Sequence, residues 1–278
     1  MLMQRVITAL VLLAVLLPAL FAPLAWPFAV LTLVMIGAAG WEWSRLNGVG
    51  GPGAVVLGVT LSAACAVAWW QGWIEAAPAM AWWIATLVWV LGGAWTLKAG
   101  VADWPALSRA VRCVLGLVAL WTAWLALANA RATGINFILS IFCLVWTADI
   151  AAYFGGKTFG RRKLAPSISP GKSWEGVWSG MAGVLLLAVL WLWVDRSFDV
   201  DSNSVFTQLA RRLGPVGLVL TLVFLAAMSV VGDLVESLSK RSAGAKDSSN
   251  LLPGHGGVLD RIDALLPVFP LALAMSSL

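Results

Sequence analysis

Charge is what this chain has least of. Only 11% of its 278 residues are Asp, Glu, Lys or Arg and 61% are hydrophobic, whereas soluble domains carry about 25% charge and about 45–50% apolar residues. So little polar surface cannot cover a water-exposed fold, which excludes a soluble globular protein and a disordered one. Cysteine is scarce too. Cys65, Cys113 and Cys143 are far apart, each in an apolar run with no second Cys or His nearby. They read as small buried hydrophobes, and a disulfide-stapled secreted module is excluded. There is no repeat of fixed period, and the absence of a basic soluble domain or recognition module excludes nucleic acid as a partner.

What is present is apolar sequence in runs long enough to cross a bilayer, about 20 residues each. Gly, Pro and charge divide it into helices near 6–22, 25–46, 53–74, 80–98, 108–128, 134–154, 174–194, 213–238 and 262–278. The last, interrupted by Pro267 and Pro270, is marginally long enough. The expected fold is an all-α, polytopic integral membrane protein of about nine transmembrane helices. The first run resembles a signal peptide, but so many spans follow that a retained helix is the better reading. Residues 1–133 form an N-terminal set of transmembrane helices. Residues 134–278 form the C-terminal region expected to carry catalysis, with loops at 155–173 and 239–262. The Trp69-Trp70, Trp82-Trp83 and Trp191/Trp193 clusters, close to span ends, read as interfacial anchors.

An odd number of spans puts the termini on opposite faces, and the positive-inside rule chooses between the two orientations. With the N-terminus cytoplasmic, the inner segments collect Arg5, Arg45, Lys98, Arg109, Arg112, Lys157, Arg161, Arg162, Lys163, Lys172, Lys240, Arg241, Lys246 and Arg261, which is 14 of the 18 basic residues. The outer segments keep Arg131, Arg196, Arg211 and Arg212, together with Asp195, Asp199 and Asp201.

Only nine of the 31 charged residues precede position 140, so polar chemistry is concentrated in the C-terminal half. One segment, Thr147 to Gly176, has five basic residues and no acid between Gly155 and Trp174, a loop suited to anionic headgroups or a polyphosphate. Ordinary loop charge explains those cations but not Asp149, placed about a turn inside an apolar helix, where a carboxylate is costly. Two P-loop-like fragments here, G-G-K-T and G-K-S, fail for want of the earlier glycine and of a preceding strand. A second segment, Gly232 to Asp263, spaces Asp233, Ser237 and Lys240 at i, i+4, i+7, on one helix face. Asp260 and Asp263 at i, i+3 share a face if a helix has begun there. Paired acids call for a hard cation such as Mg²⁺, or else merely complement a helix N-terminus. The turn Pro253-Gly254-His255-Gly256-Gly257 offers backbone amides to a phosphate and holds the only His.

The second segment closely resembles the signature of the phosphatidate cytidylyltransferase (CDP-diacylglycerol synthase) family through Ser237, Lys240, Arg241, Lys246, Asp247, Leu252, Pro253, His255, Gly256, Gly257, Asp260, Arg261 and Asp263. Ser239 departs from it, standing where an apolar residue is usual. The first segment is similar through Asp149, Tyr153, Gly155, Gly160, Ser169, Pro170, Lys172, Trp174, Glu175 and Gly176, with Ser173 and Gly171 as departures; Glu42 fits the same pattern. The resemblance implies transfer of CMP from CTP to phosphatidic acid with Mg²⁺, and a monovalent ion such as K⁺ nearby. On that basis Asp233, Lys240, Asp260 and Asp263 are the expected catalytic residues. Ser169, Lys172, Ser237, Arg241, Lys246, Asp247, His255 and Arg261 are expected to bind substrate. Asp233, Asp260 and Asp263 are the expected metal ligands, with Asp149 a further candidate. The expected partners are CTP, phosphatidic acid and membrane lipids; a homodimer is allowed but not required. The expected location is the bacterial inner membrane, with the active site facing the cytoplasm. Two other classes fit a one-sided polar cluster less well: a CTP-dependent lipid kinase and a secondary transporter.

Overall fold

The computed structural model describes residues 2–278, without the side chains of Leu2 and Arg5; Arg5, counted above with the inner cations, is thus outside the described side chains. The chain is helical nearly throughout. The helices are α1 (Leu2–Phe21), α2 (Trp26–Leu46), α3 (Gly51–Trp70), the short α4 (Trp73–Ala76), α5 (Ala79–Leu87), α6 (Gly93–Asp103), α7 (Arg109–Thr133), α8 (Ile135–Phe159), α9 (Trp174–Ser197), α10 (Val205–Ser242), the short α11 (Leu259–Ile262) and α12 (Leu265–Ser276). A π-helical turn, Val88–Gly92, joins α5 to α6. Six helical segments are long and apolar enough to cross a membrane, among the described residues. An all-α integral membrane protein is the result. The twelve residues of α12 cover about 18 Å, short of the ~30 Å hydrocarbon core, and most of them are buried against other helices.

Local chemistry sets the boundaries. Ser108, Ser173 and Ser204 cap α7, α9 and α10 by accepting from backbone N–H groups one turn ahead. The carboxylate of Asp201 accepts from the first amides of α8, Ile135 N at 2.5 Å and Asn136 N at 2.9 Å. Asp195 takes Ser204 Oγ and Thr207 Oγ1, both at 2.5 Å. These acids thus serve as helix caps at the end of the molecule away from the basic loops. The expected helix at 213–238 starts eight residues early, because Ser204 nucleates a first section that bends at Gly214, φ +68°, ahead of Pro215.

Helices α8 and α9 approach through small residues. A Cβ on Gly180 would lie 2.7 Å from the Ala148 carbonyl, and one on Gly176 2.8 Å from that of Ala152, the close packing that small residues permit inside a bilayer. Between these helices the basic loop is not irregular. It forms an antiparallel hairpin, β1 (Lys163–Ala165) with β2 (Ser169–Ser173). Trp70 is 88% exposed, as an interfacial anchor should be, whereas Trp82 is 4% exposed and packs in the core. The three cysteines are free and wholly or partly buried.

Candidate active site

The hairpin, the last turns of α10 and the loop leading into α11 meet at the basic end of the molecule. Lys172 on β2 forms an ion pair with Asp233 on α10, and Ser237, one turn on, donates to Asp233 Oδ1 at 3.2 Å. Asp149 on α8 is exposed at the same place, within electrostatic reach of Lys172 and Asp233. Asp263 stands against the charge of Asp233. Their elements touch at Gly232, where a Cβ would overlap the Asp263 carbonyl and come within 2.8 Å of Pro267 Cδ.

Lys240, expected among the catalytic residues, is held by two carboxylates. Its ammonium is enclosed, 2.6 Å from Glu236 Oε2 and 2.7 Å from Asp260 Oδ1, and the residue is only 9% exposed. The other oxygen of Asp260 accepts from Gly257 N at 2.8 Å, Ser248 N at 2.9 Å and Ser248 Oγ at 2.9 Å. Burial raises the Asp260 pKa, but the Lys240 ammonium and the Gly257 and Ser248 amides outweigh it and hold the carboxyl down to about 2. Asp260 is therefore a fixed anion that ties the glycine turn to Lys240.

Behind this pair lies Glu42 of α2, fully buried at 0% exposure. Its Oε1 accepts from Ser249 Oγ at 2.5 Å and Val258 N at 3.0 Å. Its Oε2 accepts from Leu259 N at 2.7 Å and lies 3.1 Å from Ser248 Oγ, so that hydroxyl's single proton serves either Glu42 or Asp260. A carboxylate from the first third of the chain thus pins the start of α11. Gly257 is required by the same crowding, since a Cβ there would overlap both Ser248 Oγ and Glu42.

The remaining expected residues divide. Arg241 is turned to backbone, with Nε 3.4 Å from the Ile168 carbonyl and an Nη 3.1 Å from that of Ala245, docking the hairpin on α10. Lys246 and Asp247 are exposed and border a polar cavity of about 380 Å³ with Arg45, Ser249 and Asn250. Ser169 is half-buried and Arg261 exposed. His255 is half-buried and its Nδ1 has no hydrogen-bond partner among the described residues. Glu175 closes the hairpin by accepting from Arg161 N and Arg162 N, both at 3.1 Å. Ser239, the departure from the signature, is fully buried, its hydroxyl unpaired among the described residues.

Among the described residues, no three His, Cys, Asp or Glu side chains converge as a closed metal cage would. In particular Asp260, spent on Lys240 and the glycine turn, does not gather with Asp233 and Asp263. A hard divalent ion needs only one or two carboxylates when substrate phosphates complete its shell. Asp233 and Asp263, with Asp149 close by, fit that requirement.

The profile of the Cytidylyltransferase family matches residues 3–278. The chain belongs to this family. It is similar to the phosphatidate cytidylyltransferase of Pseudomonas aeruginosa, 40% identical over 286 residues, which takes in 99% of this chain and 97% of that one. The phosphatidate cytidylyltransferase of Haemophilus influenzae is 47% identical over 137 residues, 49% of this chain and 44% of its own. That of Bacillus subtilis is 40% identical over 143 residues, 51% and 48%. Within this cytidylyltransferase, sequence reasoning missed Glu236 and Ser248. The signal for Glu236 was available: it stands four residues before Lys240, the spacing at which helix charges pair. Ser248 offered no local signal.

Proposed function

We propose that this chain transfers the CMP of CTP to phosphatidate, releasing pyrophosphate and leaving CDP-diacylglycerol. The observation that carries the reading is the end-to-end similarity to a relative of that name. The clustering of Lys172, Asp233, Asp263 and Asp149 at the basic end supports it. A phosphatidate oxygen forms the new bond to the α-phosphorus of CTP as the bond to the β-phosphate breaks. Two polyanions must meet, so catalysis consists largely of positioning and charge stabilisation.

Asp233 and Asp263 would hold Mg²⁺, with Asp149 available beside them; the ion supplies neutralisation of the reacting phosphates. Lys172, already on Asp233, is placed to contact the same phosphates, with Ser237 and Ser169 as hydrogen-bonding neighbours. Lys246, Asp247 and Arg45 border the polar cavity in which the rest of the nucleotide fits. Lys240 acts from behind: with Asp260 it fixes the glycine turn beside the site. The basic end faces the cytoplasm of a bacterial inner membrane, a reading supported by the 14 of 18 basic residues that the expected nine-span topology collects on the inner side and by bacterial relatives.

Chromatography of the products formed by purified protein from CTP, Mg²⁺ and phosphatidate micelles tests the reading. CDP-lipid with pyrophosphate is expected. A phosphorylated lipid with CDP would indicate a lipid kinase, and no covalent product a transporter.

A further inference from the structure

A cavity of about 70 Å³ opens between α10, α7 and the π-helical turn that joins α5 to α6. Its rim at Val88 and Leu115 is exposed and apolar. Five polar side chains line it. Two of them are already satisfied: the Trp43 indole donates to the Arg112 carbonyl at 2.9 Å, and that of Trp104 to Asn47 Oδ1 at 3.1 Å. Trp89, Thr96 and Glu236 remain, at 7%, 6% and 2% exposure.

Glu236 turns Oε2 to the Lys240 ammonium at 2.6 Å. Its Oε1 has no hydrogen-bond partner among the described residues, and neither has the Trp89 indole N–H. Buried polar groups left this way carry their full desolvation penalty, so each calls for an occupant that meets it. The chemistry of the pair selects that occupant. An indole N–H only donates and a carboxylate only accepts. A cation would suit Glu236 but meet the positive end of the Trp89 N–H, an anion would suit Trp89 but be repelled by Glu236, and hydrocarbon satisfies neither. Water donates and accepts at once. The volume exceeds the ~10–15 Å³ that one water needs, and three polar side chains fall within the two to four partners that a buried water takes.

We propose that this cavity holds ordered water that accepts from Trp89 Nε1 and donates to Glu236 Oε1, with the Thr96 hydroxyl as a further partner. The π-helical turn shapes the site, since Val88, Trp89 and Gly92 all line it, and such turns recur where a helix serves a function. The water joins the N-terminal half of the chain to the series Glu236, Lys240, Asp260 and Gly257 that fixes the glycine turn. No substrate touches this site, so the inference stands independently of the phosphatidate reading.

Two measurements test it. Crystals of the wild-type protein grown in a lipidic mesophase, diffracting well enough to show ordered solvent, should place a water peak at hydrogen-bond distance, ~2.7–3.2 Å, from both Trp89 Nε1 and Glu236 Oε1. A cavity without density, a continuous tube of hydrocarbon density, or an anomalous peak there after soaking in Tl⁺ overturns the proposal. Thr96→Val gives a reading that needs no crystal, because valine keeps the shape of the side chain and removes only the hydroxyl. Where that hydroxyl meets water, Tm in detergent should fall by about 2 °C or more, the scale of one lost buried hydrogen bond in a chain of this size. In a dry cavity the exchange of an unmet hydroxyl for a methyl group leaves Tm unchanged or raises it, and either result overturns the proposal.

Discussion

Glu42→Gln is the substitution that most sharply separates a bystander carboxylate from a structural anchor. Glutamine keeps the shape of the side chain but turns one acceptor oxygen into a donor. Each Glu42 oxygen faces one hydroxyl and one backbone amide: Ser249 Oγ with Val258 N, and Ser248 Oγ with Leu259 N. Whichever way the new amide turns, its NH₂ meets one hydroxyl, which can rotate to accept, and one N–H, which cannot. One buried donor is left unmet, costing about 1–3 kcal/mol. Glu42→Ala strands both amides and adds a cavity, for about 3–5 kcal/mol. Thermal unfolding in detergent should therefore rank wild type above Gln above Ala. Initial rates measured well below Tm should fall in the same order, because the start of α11 positions Asp260 and through it Lys240. A Glu42→Ala protein as stable and active as wild type would refute the reasoning.

Lys240→Ala leaves Glu236 and Asp260 without their shared cation, so it should cost about 3–5 kcal/mol of stability and lower kcat/KM at least about tenfold in protein that still folds. Unfolding curves and steady-state kinetics read the two effects separately. Gly232→Ala favours helix by about 1 kcal/mol on propensity alone, yet its Cβ collides with the Asp263 carbonyl and Pro267. Turnover and Tm should both drop, and a gain in Tm with normal turnover would show that α10 and the Asp263 segment can separate without consequence. Asp263→Asn preserves shape and removes charge; most activity should be lost while the protein remains folded, and residual turnover should need more Mg²⁺ to reach half its maximum. An unchanged Mg²⁺ titration at near-wild-type rate would reduce Asp263 to a helix-end charge.

Helix positions were legible because apolar runs interrupted by Gly, Pro and charge need nothing beyond their own residues to be read. The two polar segments were legible for the same reason, and Asp149, Lys172, Asp233, Ser237 and Asp263 do meet at one end of the bundle. Helical spacing alone could not reveal that Lys240 points inward. Its i, i+4 partner Glu236 gave a hint, but Asp260 lies twenty positions further along the chain, across a loop. Glu42 is more than 200 positions from the groups it binds, and no periodicity reports a contact of that range. The hairpin was hidden because its strands, Lys163–Ala165 and Ser169–Ser173, are short and rich in Lys, Pro and Gly, residues that read as loop. The Asp260 expectation shows the same limit from the other side: i, i+3 spacing from Asp263 predicted a shared face, whereas the short α11 gives the two carboxylates different partners.

The transfer chemistry itself is tested most directly by following the two ends of the triphosphate. Purified wild-type protein is given phosphatidate micelles and Mg²⁺ with CTP labelled either at the α- or at the γ-phosphate. Attack at the α-phosphorus puts the α-label in the lipid fraction and the γ-label in pyrophosphate. A γ-label recovered in lipid, or neither label in lipid under conditions where the protein is folded, would contradict the account.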